Sequence, residues 1–333
     1  MAVFIVRRLF SLAVTLLGGF TLLFILFFTL PSDPARVIAG GNGRAPSEAV
    51  IANTEKRLGL DKPVYEQYWN QLKDTVTLSG ESFQTREPVS EMVTQRLPAS
   101  LRLAIWAMLI EASVGIGAGV LSARRRNSLA DTLTTTAAVV AGAIPVFVLG
   151  YLLTLVTGVY AFKHNWPEWA RLPTLSNDYD PDKWFLFIPS LSQVEILIQP
   201  AIILAAVSTA IVARLTRTTM LEAQTSDHVR TARAKGLREK TVSRRHVLRN
   251  ALIPVITFIG IDFGTIIGFA ILTETVFQWP GLGSKIARAA GQSDLPVVLT
   301  LSMVVMLIYG LANLAVDISY AKLDPRIRLG GAK

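Results

Sequence analysis

The chain has 333 residues, of which 51% are hydrophobic, and a mean hydropathy of +0.44, above the ordinary range of soluble domains. It contains no cysteine and only three histidines, so disulfides and zinc–cysteine sites are excluded and a histidine metal site is not expected. The net charge of +9 would suit a nucleic-acid binder, but it also suits a membrane protein whose basic residues collect on its cytoplasmic loops. The positions of the charges decide between these two classes.

Six apolar stretches meet or approach the roughly 20 residues that a helix needs to cross a bilayer. We predict transmembrane spans at 10–30, 100–122, 129–160, 196–213, 251–277 and 295–318. The third stretch is long enough to contain a break near Pro145. The first apolar run is longer than the core of a signal peptide and no small-residue cleavage site precedes Pro31, so we interpret it as a retained anchor.

The lysines and arginines set the predicted orientation. With the N-terminus inside, the cytoplasmic loops hold Arg7, Arg8, the run 124–126 and the basic residues between 214 and 249. Most basic residues of the opposite side lie in one long segment, which counts little for orientation, while Arg102 is placed at a helix end. We therefore predict an all-α integral membrane protein with both termini inside and no nucleic-acid partner.

The segments outside the lipid differ in character. The polar segment after the first span contains two predicted short helices, 46–58 and 64–78, which indicates a small extracytoplasmic cap. The second outer stretch, 163–189, is rich in Trp and Pro and is interpreted as an irregular interfacial loop, with a docking surface for a delivery protein as the alternative. The predicted organisation is an anchor helix (1–30), a cap (31–98), a core with five spans (99–318) that includes the loop 214–250, and a cytoplasmic tail (319–333).

The loop 214–250 is the most informative segment. It is long and basic, so it must lie on the membrane surface or meet a partner. Gly236 separates two helix-compatible runs in the manner of a helix–turn–helix. A short helix of this kind can sit in a cleft of a soluble motor, whose rotation would pass through Pro254 into the fifth span. The loop is therefore predicted to be a coupling element.

Two stretches of this loop resemble the coupling loop of bacterial ABC importer permeases, specifically the B-type subunit of the dipeptide, oligopeptide and nickel group. They are Val229-Arg-Thr-Ala-Arg-Ala-Lys-Gly-Leu237 and Arg249-Asn-Ala-Leu-Ile-Pro254. The leading Glu and closing Pro of the general importer motif are absent. Further matches follow in the same order: Arg7-Arg8, Leu30-Pro-Ser-Asp-Pro34, Leu58-Gly-Leu-Asp-Lys-Pro-Val-Tyr-Glu-Gln-Tyr68, Ala213-Arg-Leu-Thr-Arg-Thr-Thr-Met-Leu-Glu222, Glu274-Thr-Val-Phe-Gln-Trp-Pro-Gly-Leu-Gly283 and Asp324-Pro-Arg-Ile-Arg328.

The resemblance implies a type I ABC importer permease core in the bacterial inner (cytoplasmic) membrane, which imports di- or oligopeptides by coupling ATPase closure to alternating access. It also implies three kinds of partner: a second homologous permease, two ATPase subunits or domains, and an extracytoplasmic substrate-binding protein. The residues assigned to the ATPase contact are Arg230, Thr231, Ala232, Arg233, Ala234, Lys235, Gly236 and Leu237. Nickel or another small solute is the alternative cargo, and a secondary transporter driven by an ion gradient is the alternative class.

Four carboxylates lie within or near the ends of the predicted spans, where a central charge costs about 2.5 kcal/mol or more. Glu111, Asp262 and Glu274 are the candidates for the translocation pathway, and pairing between helices is the structural alternative for each of them and for Asp317. Asp262 also departs from the residue that is usual in relatives.

Two smaller features complete the predicted spans. A row of glycines in the fifth span, Gly260, Gly264 and Gly268, is expected to let helices approach closely. Arg214 and Arg217, at the inner end of the fourth span, are interpreted as headgroup anchors, with gating as the alternative.

Motifs for chemistry within this chain are absent from the sequence. There is no Gly-x-x-x-x-Gly-Lys-Ser/Thr phosphate loop, no His-Glu-x-x-His metal pair and no Gly-x-Ser-x-Gly nucleophile turn. We therefore expect no catalytic residue, no metal and no cofactor in this chain, and we expect ATP and Mg²⁺ to be bound by the partner ATPases.

Overall fold

Long apolar runs form helices because a helix satisfies every backbone N–H and C=O internally, as a lipid environment requires. The computed structural model describes residues 2–29, 34–40 and 47–323. Its α-helices are α1 (Ala2–Phe24), α2 (Pro34–Ala39), α3 (Glu48–Leu58), α4 (Val64–Thr77), α5 (Val89–Ile110), α6 (Ile116–Arg124), α7 (Leu129–Ala143), α8 (Val146–Thr154), α9 (Ala161–Lys163), α10 (Leu191–Gln224), α11 (Asp227–Ala234), α12 (Glu239–Thr241), α13 (Arg249–Val276), α14 (Leu282–Gly291) and α15 (Leu295–Leu323).

Other regular elements extend or connect these helices. A π-helical turn, Ile25–Thr29, follows α1. Three more join consecutive helices: Glu111–Gly115 joins α5 to α6, Leu155–Tyr160 joins α8 to α9, and Val242–Leu248 joins α12 to α13. Two 3₁₀ turns, Glu168–Ala170 and Pro181–Lys183, precede a short hairpin of β1 (Trp184–Phe185) and β2 (Ile188–Pro189). Its strands are antiparallel, with Trp184 opposite Pro189 and Phe185 opposite Ile188.

Six helices in the described part of the chain are long and apolar enough to cross a membrane, which confirms the predicted number. They are Val3–Phe27, Val89–Arg124, Val146–Lys163, Leu191–Gln224, Glu239–Val276 and Leu295–Ile318. The predicted break near Pro145 is confirmed. Because proline has no N–H to continue the helix, α7 ends at Ala143 and α8 begins at Val146, so the predicted third span was too long. The second and fifth helices start earlier than predicted, at Val89 and Glu239.

One compact unit contains the residues up to Ser100 together with 280–314. In this unit α1 packs on α4, where the ring of Tyr68 meets the rings of Phe20 and Phe24 edge-on at centroid distances of 5.4 and 5.2 Å. The hydroxyl groups of Thr21 and Tyr68 are 2.8 Å apart. Helices α3 and α4 confirm the two helices predicted for the cap.

Asp294 fixes the loop between α4 and α5 in the same unit. Its carboxylate accepts hydrogen bonds from the Ser82 hydroxyl and from Phe83 N, the latter at 2.9 Å. Asp294 is buried, so these bonds hold the loop firmly. A polar cleft of about 450 Å³ lies beside the loop, and charged groups of both signs, among them Arg57, Asp74 and Arg86, line it.

The second compact unit contains residues 101–279 and 315–324, described through Leu323. Helix α10 lies against α6 and the π-helical turn that precedes it, at two glycines four residues apart. A Cβ on Gly119 would come within 2.5 Å of the Ala213 carbonyl oxygen, and one on Gly115 within 2.7 Å of Val212. Small residues at this spacing let two helices approach closely, and the sequence analysis did not single out this pair.

The glycine row predicted in the fifth span is confirmed only in part. A Cβ on Gly260 would lie 3.2 Å from Val316, but one on Gly268 would meet nothing within 4 Å. Gly268 therefore brings no helix close within the described residues. The matches at 30–34 and 324–328 and most of the predicted tail lie outside the described residues, apart from Pro34 and the end of α15.

Candidate functional site

The predicted coupling segment forms a helix–turn–helix. Helix α11 ends at Ala234, and Gly236 then takes a φ of +76°, a left-handed conformation that glycine adopts without the steric cost of a Cβ. The chain reverses there and re-enters a helix at Glu239. The elbow assigned to Gly236 is therefore present.

The segment 230–237 is exposed except for one residue. Ala232 is buried with Val229 in a cluster that also contains Met220, Val242, Val247 and Ala251. The remaining seven residues assigned to the ATPase contact, Arg230, Thr231, Arg233, Ala234, Lys235, Gly236 and Leu237, are exposed. One face of α11 is thus anchored to the core, while the other is basic and open to a partner.

An ion pair closes the turn around Gly236. The guanidinium of Arg233 donates to both carboxylate oxygens of Glu239, with an Nη2–Oε1 distance of 2.8 Å. This bond joins α11 to the helix that continues without a break from Glu239 to Val276. Asn250 adds a second link, because its Nδ2 lies 2.8 Å from His228 Nε2. Two polar links thus join α11 to the helix that contains the fifth span.

Two of the candidate pathway carboxylates lie inside the helix bundle. Glu111 is fully buried and begins the π-helical turn after α5, and π-helical turns are frequent at functional sites. Asp262 on α13 is 8% exposed, accepts a hydrogen bond from Ser208 and interacts electrostatically with Glu111. Within the described residues, neither Glu111 oxygen has a hydrogen-bond partner, nor has Asp262 Oδ2 or the neighbouring Thr209 hydroxyl.

The other two carboxylates lie near span ends, as the sequence indicates. Glu274 is fully buried in the last turns of α13, where its carbonyl oxygen accepts a bond from Trp279 N at 2.8 Å. Asp317 is half-buried near the end of α15. The bundle interior of this chain surrounds Glu111 and Glu274, so neither side chain lines a surface of the isolated subunit.

An ion pair that the sequence did not reveal lies in the C-terminal half of α10, where it joins this helix to α7. Arg217 donates from Nε and Nη2 to the two carboxylate oxygens of Asp131, at 2.6 and 2.9 Å, and the Ser122 hydroxyl also donates to Asp131. The headgroup-anchor interpretation is therefore wrong for Arg217, whose guanidinium holds α10 to α7. The spacing from Ser128 to Asp131 is a capping-box pattern that marks the start of α7, but it carries no signal for the distant partner of Asp131.

The Trp-rich stretch 163–189 is organised around Arg102, which lies in the middle of α5 and not at a helix end. Its guanidinium donates to Leu186 O at 2.9 Å and to the Tyr179 hydroxyl at 2.6 Å, and it stacks 4.9 Å from the ring of Trp184. Burial raises the pKa of Tyr179, against the opposing effect of Arg102. Beyond this anchor, Phe185 is 81% exposed at the hairpin.

The chain matches a known protein family along most of its length. Residues 115–329 match the family described as the inner membrane component of binding-protein-dependent transport systems, and residues 1–104 match the N-terminal region of such membrane components. The chain is 38% identical over 335 residues to the di/tripeptide transport system permease protein DppB of Pseudomonas aeruginosa, covering 98% of each chain.

Two further relatives also match along nearly their whole length. The dipeptide transport system permease protein DppB of Alkalihalophilus pseudofirmus is 36% identical over 342 residues, covering 98% of this chain and 100% of the relative. The glutathione transport system permease protein GsiC of Escherichia coli is 36% identical over 326 residues, covering 98% of each. The chain, a multi-pass inner membrane protein, thus belongs to the family of inner membrane components of binding-protein-dependent transport systems.

Proposed function

We propose that this chain is a membrane-spanning permease subunit of an ATP-driven importer of short peptides. The observation that carries the proposal is the full-length similarity to relatives whose names specify dipeptides, di/tripeptides and glutathione. The six apolar helices support a permease, and the exposed helix–turn–helix supports coupling to a separate motor.

The proposed topology has both termini in the cytoplasm. An anchor helix (1–30) leads to an extracytoplasmic cap (31–98), a core with five spans (99–318) and a tail (319–333). The loop 214–250 lies on the cytoplasmic side, because loops rich in Lys and Arg are retained there. The cap and the Arg102-anchored hairpin then face the compartment from which a substrate-binding protein delivers the peptide.

The proposed assembly contains this chain, a second homologous permease, two ATPase subunits or domains and a substrate-binding protein. ATP and Mg²⁺ bind to the ATPases, and this chain contributes no catalytic residue. Closure of the ATPase pair moves α11 through the exposed residues of 230–237. The Arg233–Glu239 ion pair and the helix that begins at Glu239 carry this movement into the fifth span, which switches the pathway between its outward and inward states.

Two alternatives make different predictions. Nickel or another small solute as cargo would leave the whole mechanism unchanged and alter only what the delivery protein binds. A transporter driven by an ion gradient would need neither an ATPase nor a binding protein, and membership of a binding-protein-dependent family weighs against it.

Uptake in cells tests the cargo directly. Deletion of the gene for this chain from an amino-acid auxotroph should abolish growth on a dipeptide that contains the required amino acid, while growth on the free amino acid continues. Re-expression of the chain should restore growth. Unchanged dipeptide uptake together with lost nickel uptake would replace the peptide assignment with the nickel alternative.

A further inference from the structure

A basic cavity lies on the helix that follows the coupling turn. Its volume is about 580 Å³, and it is lined by Lys240, Thr241, Arg244, Arg245, Leu248, Arg249 and Leu252. The four basic side chains are exposed, and no acidic residue is among the lining residues. A cavity of this composition attracts an anion.

This cavity and the protein core lie on opposite faces of the same helix. Val242, Val247 and Ala251, on the opposite face of the same helix, are buried in the cluster around α11. The basic residues therefore project away from the bundle. In the part of the chain that the structure describes, none of the four makes an ion pair, and the nearest carboxylate in sequence, Glu239, is engaged by Arg233.

The cavity changes from charged to apolar along the helix axis. The cations occupy positions 240–249, while Leu248 and Leu252 line the end that leads into the fifth span. Beyond them, Ile253 and Ile256 are 65% and 57% exposed on an apolar helix that crosses the membrane. An amphiphile with an anionic head and hydrocarbon chains matches this order, because its head would meet the arginines and its chains would follow the isoleucines.

We propose that this cavity binds the phosphate headgroup of an anionic phospholipid from the surrounding bilayer. Arginine forks suit phosphate oxygens, and basic pockets at the ends of membrane helices are typical sites for anionic headgroups. The lipid would bind on the helix that connects the coupling turn with the fifth span. Its effect on coupling rests on the proposed function, but its binding does not.

Native mass spectrometry of the purified complex, in mixed phosphatidylcholine and phosphatidylglycerol, tests the binding. The wild type should retain phosphatidylglycerol in preference to phosphatidylcholine. Arg244→Gln/Arg245→Gln/Arg249→Gln should weaken this retention by about fivefold for each charge removed. Arg238→Gln, which removes an exposed cation of the same loop outside the cavity, should retain the lipid.

Two further arms separate the possible sources of the anion and guard against misfolding. Arg244→Lys/Arg245→Lys/Arg249→Lys keeps the charge and should keep most of the bound lipid. Equal retention by the triple Gln variant and the wild type would overturn the proposal, and so would displacement of the lipid by inorganic phosphate alone. If the triple Gln variant loses the ATPase subunits but binds as much lipid as the wild type, the cavity is a protein contact. That result would equally overturn the proposal. Dipeptide uptake is scored separately, so a failure of the peptide assignment leaves the lipid result interpretable.

Discussion

Glu111 and Asp262 place two carboxylates inside a bundle of membrane-spanning helices. A charge at the centre of a bilayer costs about 2.5 kcal/mol or more, and both groups retain oxygens without a hydrogen-bond partner among the described residues. They lie on different helices, and Ser208 of a third helix, α10, donates to Asp262. Because Glu111 is fully enclosed by this chain, we expect it to act on the packing of these helices and not on the peptide.

Glu111→Gln separates these two roles. The amide has nearly the same size and cannot ionise, so it never carries a costly buried charge and the thermal stability of the purified protein should be equal or higher. Dipeptide uptake should remain within about twofold of the wild type, since an interaction worth a full hydrogen bond with cargo would change it about tenfold. A large loss of uptake at normal protein levels would instead assign Glu111 to the pathway.

Arg217 and Asp131 give a second prediction at the level of single residues. Arg217→Ala leaves the buried Asp131 carboxylate with only the neutral donors Ser122 and Asn127 N, so the temperature of unfolding should fall by about 3–6 °C. Arg217→Lys keeps the charge but loses the two parallel hydrogen bonds of the guanidinium. Its temperature of unfolding should therefore lie between those of the wild type and Arg217→Ala. Arg214→Ala removes an exposed arginine of the same helix and serves as the control. If both alanine variants unfold at one temperature, the ion pair contributes nothing.

At the scale of helices, the contact of α6 with α10 depends on glycine. Gly119→Ala would place a Cβ against the backbone of Ala213, so the helices must move apart, at a cost of about 1–3 kcal/mol. Gly117→Ala is the matched control on the same helix, because its Cβ would meet nothing within 4 Å. Residual monodisperse protein after heating should therefore be lower for Gly119→Ala and unchanged for Gly117→Ala. The opposite order would contradict the packing described for α6.

The turn at Gly236 gives the prediction for the coupling element. A Cβ there has no neighbour within 4 Å, so any effect of substitution comes from the left-handed backbone. Asn tolerates this conformation. For Ala it costs about 1–2 kcal/mol of conformational free energy, and for a β-branched residue it costs more. Uptake should therefore fall in the order Gly236→Asn, Gly236→Ala, Gly236→Val, the last about tenfold, with the subunit still in the membrane. Uptake by the Val variant equal to that of the Asn variant would exclude a coupling role for the turn.

Across the whole molecule, the number of spans was predictable because a hydrophobic run of about 20 residues with few charges matches the thickness of a bilayer. The start of α5 at Val89 was not predictable. Glu91 and Arg96 make the first turns of this helix polar, so these turns lie outside the apolar run. The turn at residue 236 was predictable from a glycine between two helical runs.

Contacts between distant residues were not predictable from one sequence. Asp131 and Arg217 are 86 positions apart, and Arg102 finds its partners in an irregular stretch that carries no periodic signal. The Arg217 assignment failed for this reason, since a basic residue at a span end is usually a headgroup anchor. Side-chain chemistry predicted what such residues can bind but not which neighbour the fold supplies.

The permease assignment is tested by the uptake of a labelled dipeptide into liposomes that contain this chain purified with its bound partners, with ATP enclosed and the substrate-binding protein outside. If the chain is a permease subunit, uptake requires both ATP and the binding protein, and Gly236→Val lowers it while the complex stays intact. Uptake by the chain alone, without ATP and driven by an imposed ion gradient, would contradict the assignment.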